Sequence, residues 1–435
     1  MATSSAAAVL ASLLEQLEAS QWADAGSLAE VQQRHVALLA EHARSCSPHF
    51  ASRLQVAGIE PRDLADRGQF AKLAVITRRD VQAAGAAMSC TTLPGGHGDV
   101  GTTVTSGSTG EPVTVRRTAV TALFWNAMAM RELRWHRREL SGRLCTIRAK
   151  TAAYSKRETW GPPASLLGHT GPALALPVAT DTRQLVEWIA AWSPTLLVLY
   201  PSTLAAVTDH CARYSVRPAG LQHVLTTGET LSATVRADAE ATLGAPVADC
   251  YSSEEFGCIA AQCPASGLYH VMAESVIVEV LRDDGTPCDD GEAGRVVVTD
   301  LHNYATPLVR YDIGDVAAPG PPCPCGRGLP TLRRIVGRQR NLIRMPDGRR
   351  HWPLTGFPRC RDVAPVRQYQ LVQESRDGMN ARLVVERPLR ADEEERLRAL
   401  FQRAAGHPFR MRFTYFPDRI PSGPSDKFEE FVCCI

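Results

Sequence analysis

Hydrophobic and polar positions along the chain fall into three textures. Over residues 1–90 the apolar residues recur at helical spacing, as Leu10, Leu13, Leu14 and Leu17 do, with breaks at Ser47-Pro48 and Glu60-Pro61. Between about 118 and 253 short apolar runs alternate with amphipathic stretches. A helix is expected from Thr118 to about Leu140, and "LVEWIAAW" (185–192) reads as helix before the buried strand "TLLVLYPST" (195–203). A further helix over Thr203–Tyr214 precedes the strands "LQHVLTTGE" (221–229) and "GAPVADCYSS" (244–253). Strands alternating with helices of this length predict an α/β domain with a largely parallel sheet. From Val276 the period shortens to two, and strands flanking Asp284-Gly285 predict an antiparallel β subdomain. The last ~95 residues read as strands around a helix near Ala391–Ala405. The expected fold is therefore a large N-terminal α/β domain (1–337), with mainly parallel sheet and a β subdomain, followed by a small α+β domain (338–435).

Composition changes this picture little. The 435 residues are 44% hydrophobic and 22% charged, with a formal net charge of +2, so no electrostatic argument points to nucleic acid or to an anionic membrane. No apolar run reaches the ~20 residues that span a bilayer. The N-terminal apolar run has no basic residue before it and reads as a surface helix rather than an export signal, so a cytoplasmic location is expected. The thirteen cysteines then read as reduced thiols or metal ligands. Only four lysines occur (Lys72, Lys150, Lys156 and Lys427), which makes each one informative.

Ligands in parallel α/β sheets gather at the carboxyl ends of strands, where Thr226–Glu229 and Asp249–Glu255 are expected to sit. The stretch "TSGSTGEP" (105–112) offers backbone N–H groups and hydroxyls that suit an anion, although it lacks the Lys of a Walker loop. A solvent turn is its simpler reading. Taken with "TTGETLS" (226–232), "YSSEEFG" (251–257), "VRYDIGD" (309–315) and "GRQRNLI" (337–343), in that order, it resembles the motifs of the adenylate-forming ligases, in particular the phenylacetate–coenzyme A ligase-like branch.

The resemblance implies activation of a small carboxylic acid, expected to be aromatic, by Mg·ATP to an acyl-adenylate with release of pyrophosphate. Acyl transfer to coenzyme A would follow. A carrier protein or an amine as acceptor, and a non-catalytic nucleotide-binding protein of the same fold, stay open at this point. On the matching positions Thr105, Ser106, Gly107, Ser108, Thr109 and Gly110 would wrap the β- and γ-phosphates. Gly228, Glu229 and Ser252 would border the nucleotide, and Tyr251 would stack on adenine. Glu255 would hold Mg²⁺, Asp315 would accept both ribose hydroxyls, and Arg338 would contact the nucleotide from the domain boundary. Lys427, eight residues from the C-terminus, would place an ammonium between the carboxylate and the α-phosphate.

Three positions depart from the family pattern: Glu111 in the loop, Glu254 before the metal-binding Glu, and Arg340-Asn341 at the hinge. Glu254 is expected to pair with an Arg or to join the metal. Cys263, His270, Cys323 and Cys325 resemble a structural Zn²⁺ site of some members of the branch; buried inert thiols beside a satisfied His are the alternative. Phe124, Trp125 and Tyr200 are guesses for the acyl pocket.

Overall fold

The computed structural model describes residues 2–104, 113–339, 342–351, 360–421 and 428–435. The stretch 105–112, the hinge residues Arg340 and Asn341, and Lys427 lie outside the described residues.

The centre of the molecule is a mixed sheet with twelve strands among the described residues. Its parallel half runs through Val247–Ser253, His223–Thr227, Leu196–Leu199, Leu144–Arg148 and Ala173–Pro177. All four residues of Leu196–Leu199 are buried, as a parallel strand covered on both faces requires. Helices Thr182–Trp192, Pro201–Tyr214 and Ala233–Leu243 cover one face, packing Leu185, Ile189, Leu204 and Val207 against Ile147, Leu197 and Val224. Their ends are chemically marked. Ser232 Oγ accepts from Val235 N at 3.1 Å, and Gly244 closes the same helix with a left-handed φ of 67°. That positive φ favours glycine, and a Cβ there would also displace the Arg217 guanidinium.

The antiparallel half does not form a sheet of its own. Gly257–Gln262 pairs with Val247–Ser253 and continues the same sheet through Tyr269–Val271, Thr331–Arg338, Tyr311–Pro319, Gly294–Asp300 and Val276–Leu281. Strands Val276–Leu281 and Gly294–Asp300 do pair antiparallel, but Asp284-Gly285 makes only a local turn within the longer connection 282–293. Helix Ala119–Trp135 stops short of Leu140, because Arg137 adopts a left-handed φ of 49°.

The N-terminal helices Ala2–Ser20 and Ala25–Cys46 are fastened to the antiparallel half. Gln32 Nε2 donates to Ala273 O at 2.8 Å, and Ser20 Oγ to Glu274 Oε1 at 2.6 Å. Arg131, buried on helix Ala119–Trp135, pairs with the same Glu274 at 2.7 Å. The C-terminal part has a separate sheet, Arg410–Phe416, Gly378–Val385, Val366–Ser375 and Phe431–Cys433, with helix Ala391–Ala405 against it. Its core draws only on residues 343–433, including Leu371, Leu383, Leu397, Phe401 and Phe409.

Candidate active site

A cavity of about 1390 Å³ opens where the parallel strands end and the C-terminal part faces them. Strand Val247–Ser253 delivers Tyr251 and Ser252 to it, followed by Glu254 and Glu255. Strand Tyr311–Pro319 delivers Asp315, and its neighbour Thr331–Arg338 places Arg338 directly across the ladder from Asp315. Gly228 and Glu229 reach the same wall from the end of His223–Thr227.

These side chains are already connected. Tyr251 Oη donates to Asp315 Oδ2 at 2.7 Å, and Arg338 Nε stands 2.9 Å from Asp315 Oδ1. Arg338 Nη1 also donates to Ile313 O at 3.1 Å. Burial, with the Asp315 carboxylate beside it, holds the Tyr251 phenol well above its ordinary range, so it stays a donor. Both oxygens of Asp315 are thus engaged by protein donors, and a nucleotide ribose would have to exchange with them. Thr227 Oγ1 and Ser252 Oγ lie 2.6 Å apart, and Ser202 N donates to Glu229 Oε2 at 2.9 Å, which ties Glu229 to the start of helix Pro201–Tyr214.

Glu255 is buried, with Oε1 3.8 Å from Arg78 Nη1. Glu254 pairs with Lys150 at 2.8 Å, a lysine where an arginine was expected. Asp249 and Arg310, inside stretches singled out in the sequence, also support this wall. Asp249, one turn of the pleat before Tyr251, is buried and accepts from Thr226 Oγ1 at 2.5 Å and Tyr269 Oη at 2.8 Å. Burial raises its carboxyl above the ordinary range. Arg310, buried within the motif 309–315, pairs with Glu279 at 2.8 Å and donates to Leu73 O at 2.7 Å, so it braces the motif against the N-terminal helices. The scarcity of lysine was a signal that could have flagged Lys150. Arg78 carried none.

The opposite wall comes from the C-terminal part, through Arg367, Tyr369, Arg419, Phe428 and Glu429 among others. Phe428 follows Lys427 directly in the chain. Phe124, Trp125 and Tyr200 do not line this cavity. Phe124 stacks on His302 at 3.5 Å, and Tyr200 lies under Arg148. Trp125 covers Gly257, whose φ is 69° and where a Cβ would fall 2.5 Å from the indole.

Outside the lining of the cavity, Cys263, His270, Cys323 and Cys325 bring their ligand atoms within 4.8 Å of one another. His270 Nε2 is 3.3 Å from Cys325 Sγ, and Cys323 Sγ is 3.7 Å from Cys263 Sγ. Burial, helped by Arg327, pushes His270 down to about 4, so its imidazole is neutral and able to act as a ligand. Three thiols and one imidazole at this separation fit a tetrahedral zinc site. The four residues connect the segment after Tyr251 to the turn after Asp315.

Residues 100–303 match the family model described as AMP-binding enzyme. The chain is 24% identical over 340 residues to a phenylacetate–coenzyme A ligase of Aromatoleum evansii, covering 75% of this chain and 74% of that protein. Its structure is similar to 2-hydroxyisobutyryl-CoA ligase in the postadenylation state, with a TM-score of 0.72 and 19% identity over 92% of this chain and 88% of that one. It is also similar to the amide bond synthetase McbA of Marinactinospora thermotolerans, with a TM-score of 0.51 and 20% identity over 74% and 66% of the two chains. No described helix is long and apolar enough to cross a membrane. Residues 100–303 are therefore similar to the AMP-binding enzymes, and the chain has the fold of the ligases it resembles in structure.

Proposed function

We propose that the protein activates a carboxylic acid with ATP to an acyl-adenylate, releases pyrophosphate, and passes the acyl group to coenzyme A. The observation that carries this reading is the convergence of Tyr251, Asp315, Arg338, Gly228, Glu229 and Glu255 on one cavity, with Phe428, next to Lys427, on its far wall. Adenylation sets an anionic carboxylate against an anionic phosphate, and the residues divide the work of making that contact tolerable. Tyr251 offers a flat, buried face to adenine while its hydroxyl orients Asp315. Asp315 takes the ribose hydroxyls as its present donors give way, a role suited to a carboxylate that accepts at both oxygens. Arg338 balances that carboxylate and holds its orientation.

The stretch 105–110 would cradle the β- and γ-phosphates, and Lys427 would bring its ammonium to the incoming carboxylate and the α-phosphate. Glu255 would hold Mg²⁺, which neutralises phosphate charge when bound. Cys263, His270, Cys323 and Cys325 would hold a structural Zn²⁺ that clamps the Tyr251 and Asp315 segments together. The two parts 1–337 and 338–435 act as separate bodies, the second bringing Lys427 to the site. The acid is aromatic, a reading supported by the likeness to a phenylacetate–coenzyme A ligase.

Acid-dependent exchange of labelled pyrophosphate into ATP, run over a panel of aryl acids, tests the first half-reaction. ATP binding without exchange for any acid would replace the enzyme by a nucleotide-binding protein. The likeness to an amide bond synthetase favours one second reading, transfer to an amine. Coenzyme A, a carrier protein and amines, each added to the pre-formed adenylate, separate the acceptors by the product's mass.

A further inference from the structure

A second group of soft ligands lies away from the cavity, among the N-terminal helices. His42 and Cys46 stand one helical turn apart near the end of helix Ala25–Cys46, so both side chains share a face. Cys90 meets them from the segment after the 3₁₀ turn Gly85–Met88. The three ligand atoms lie within 4.8 Å of one another, and His42 Nε2 is 3.3 Å from Cys46 Sγ. Cys46 is 5% exposed and Cys90 1%.

The backbone around the group is fixed. Cys90 N donates to Ala305 O at 3.0 Å and Thr91 N to Cys46 O at 3.0 Å, while Arg116 Nη1 reaches Cys90 O at 3.4 Å. The His42 ring also meets the carbonyls of Tyr304 and Thr92. A neutral imidazole that gives its one N–H to a carbonyl keeps the other nitrogen as a lone-pair donor, the usual arrangement of a metal-bound histidine. Nε2 lies beside the Cys46 thiol.

We propose that His42, Cys46 and Cys90 form a binding site for a thiophilic divalent cation of the Zn²⁺ type, distinct from the Cys263–Cys325 group. On binding, both thiols release their protons to solvent and two S–metal bonds and one N–metal bond form. The charges then cancel: two thiolates and a dication make a neutral complex, which escapes most of the cost of burying a net charge. Three protein ligands leave a fourth position for water. The cation fastens helix Ala25–Cys46 to the segment that leads into the hairpin Val100–Val104 and Thr114–Thr118. That hairpin flanks the stretch 105–112, so the site braces its base from below.

The test uses the full chain, stripped with a chelator and titrated with Cd²⁺ while thiolate-to-cadmium absorption is followed. Cys46→Ser/Cys90→Ser is expected to bind one cation fewer and to lose the absorption of two thiolates. Unchanged stoichiometry and amplitude in that variant overturn the site. Should the double variant fail to fold, ¹¹³Cd NMR of the unsubstituted chain decides. A resonance in the range of two sulfurs and one nitrogen, lost in His42→Ala, supports the site, and its absence overturns it. Metal is counted without turnover, so the outcome does not depend on the ligase reading.

Discussion

Asp315 and Arg419 border the same cavity, but the chain holds its two walls in different ways. The wall that carries Asp315 belongs to the twelve-stranded sheet. Tyr251, Asp315 and Arg338 are bonded to one another across adjacent strands, and Arg310 and Gln32 tie those strands to the N-terminal helices. The wall that carries Arg419 and Phe428 rests on a core of its own, drawn from residues 343–433. The ion pair of Arg213 with Glu386, both substantially exposed, joins the two parts. One wall is tied into the large sheet, whereas the other rests on its own core, as the proposed division into two bodies requires. This division suits a two-step reaction, in which the nucleotide stays on the fixed wall while the second wall changes what it presents.

Substitutions on the two walls should therefore fail differently. Lys427→Ala is expected to slow adenylation by about 10²–10³ and to leave the melting temperature unchanged, since the residue serves the reaction and not the core. Asp315→Asn is expected to lower acid-dependent pyrophosphate exchange by about 10² and also to destabilise the chain by about 1–2 kcal/mol, because Arg338 loses its counter-charge at a partly exposed site. Exchange and thermal unfolding measured on both variants check the contrast. Equal destabilisation of the two would erase it.

The zinc reading predicts a purely structural effect on the fixed wall. Cys323→Ser/Cys325→Ser should lose one metal equivalent by mass spectrometry and lower the melting temperature by about 2 °C, corresponding to ~2 kcal/mol at roughly 2.1 cal/mol/K of unfolding entropy per residue. An unchanged metal content would remove the clamp.

Acid should loosen the fixed part through its buried histidines. His302 is 8% exposed, and burial holds it at about 4 against an ordinary value of 6.5. The unfolded chain therefore binds the proton first. Stability is complete above pH 6.5 and declines as pH falls toward 4, by up to about 3 kcal/mol for this group. His302→Gln should flatten that part of the curve, as followed by denaturant unfolding at several pH values. The smallest effect is expected at the joint between the walls: Glu386→Ala should cost less than about 1 kcal/mol, as exposed ion pairs do.

Much of this layout was legible in the chain. The buried run at 196–199, the strand end at Gly228 and helix Ala391–Ala405 follow from local period and turn chemistry, and they lie where those signals put them. The ordered motifs pointed to Tyr251, Asp315 and Arg338, which share one network in the structure. What escaped depends on partners distant in sequence. Lys150 meets Glu254 across 104 positions, and Arg310 meets Leu73 across 237. No local pattern encodes such pairs. The joining of the antiparallel strands to the parallel sheet escaped for the same reason, since period two marks a strand but not its neighbour.

The proposed adenylation depends most heavily on Lys427. Wild-type protein and Lys427→Ala should be compared in two assays, pyrophosphate exchange with ATP and a competent aryl acid, and coenzyme A ester formation from the synthetic acyl-adenylate. Loss of exchange by about 10²–10³ with ester formation retained is the predicted result. Exchange that proceeds at the wild-type rate in Lys427→Ala would contradict it.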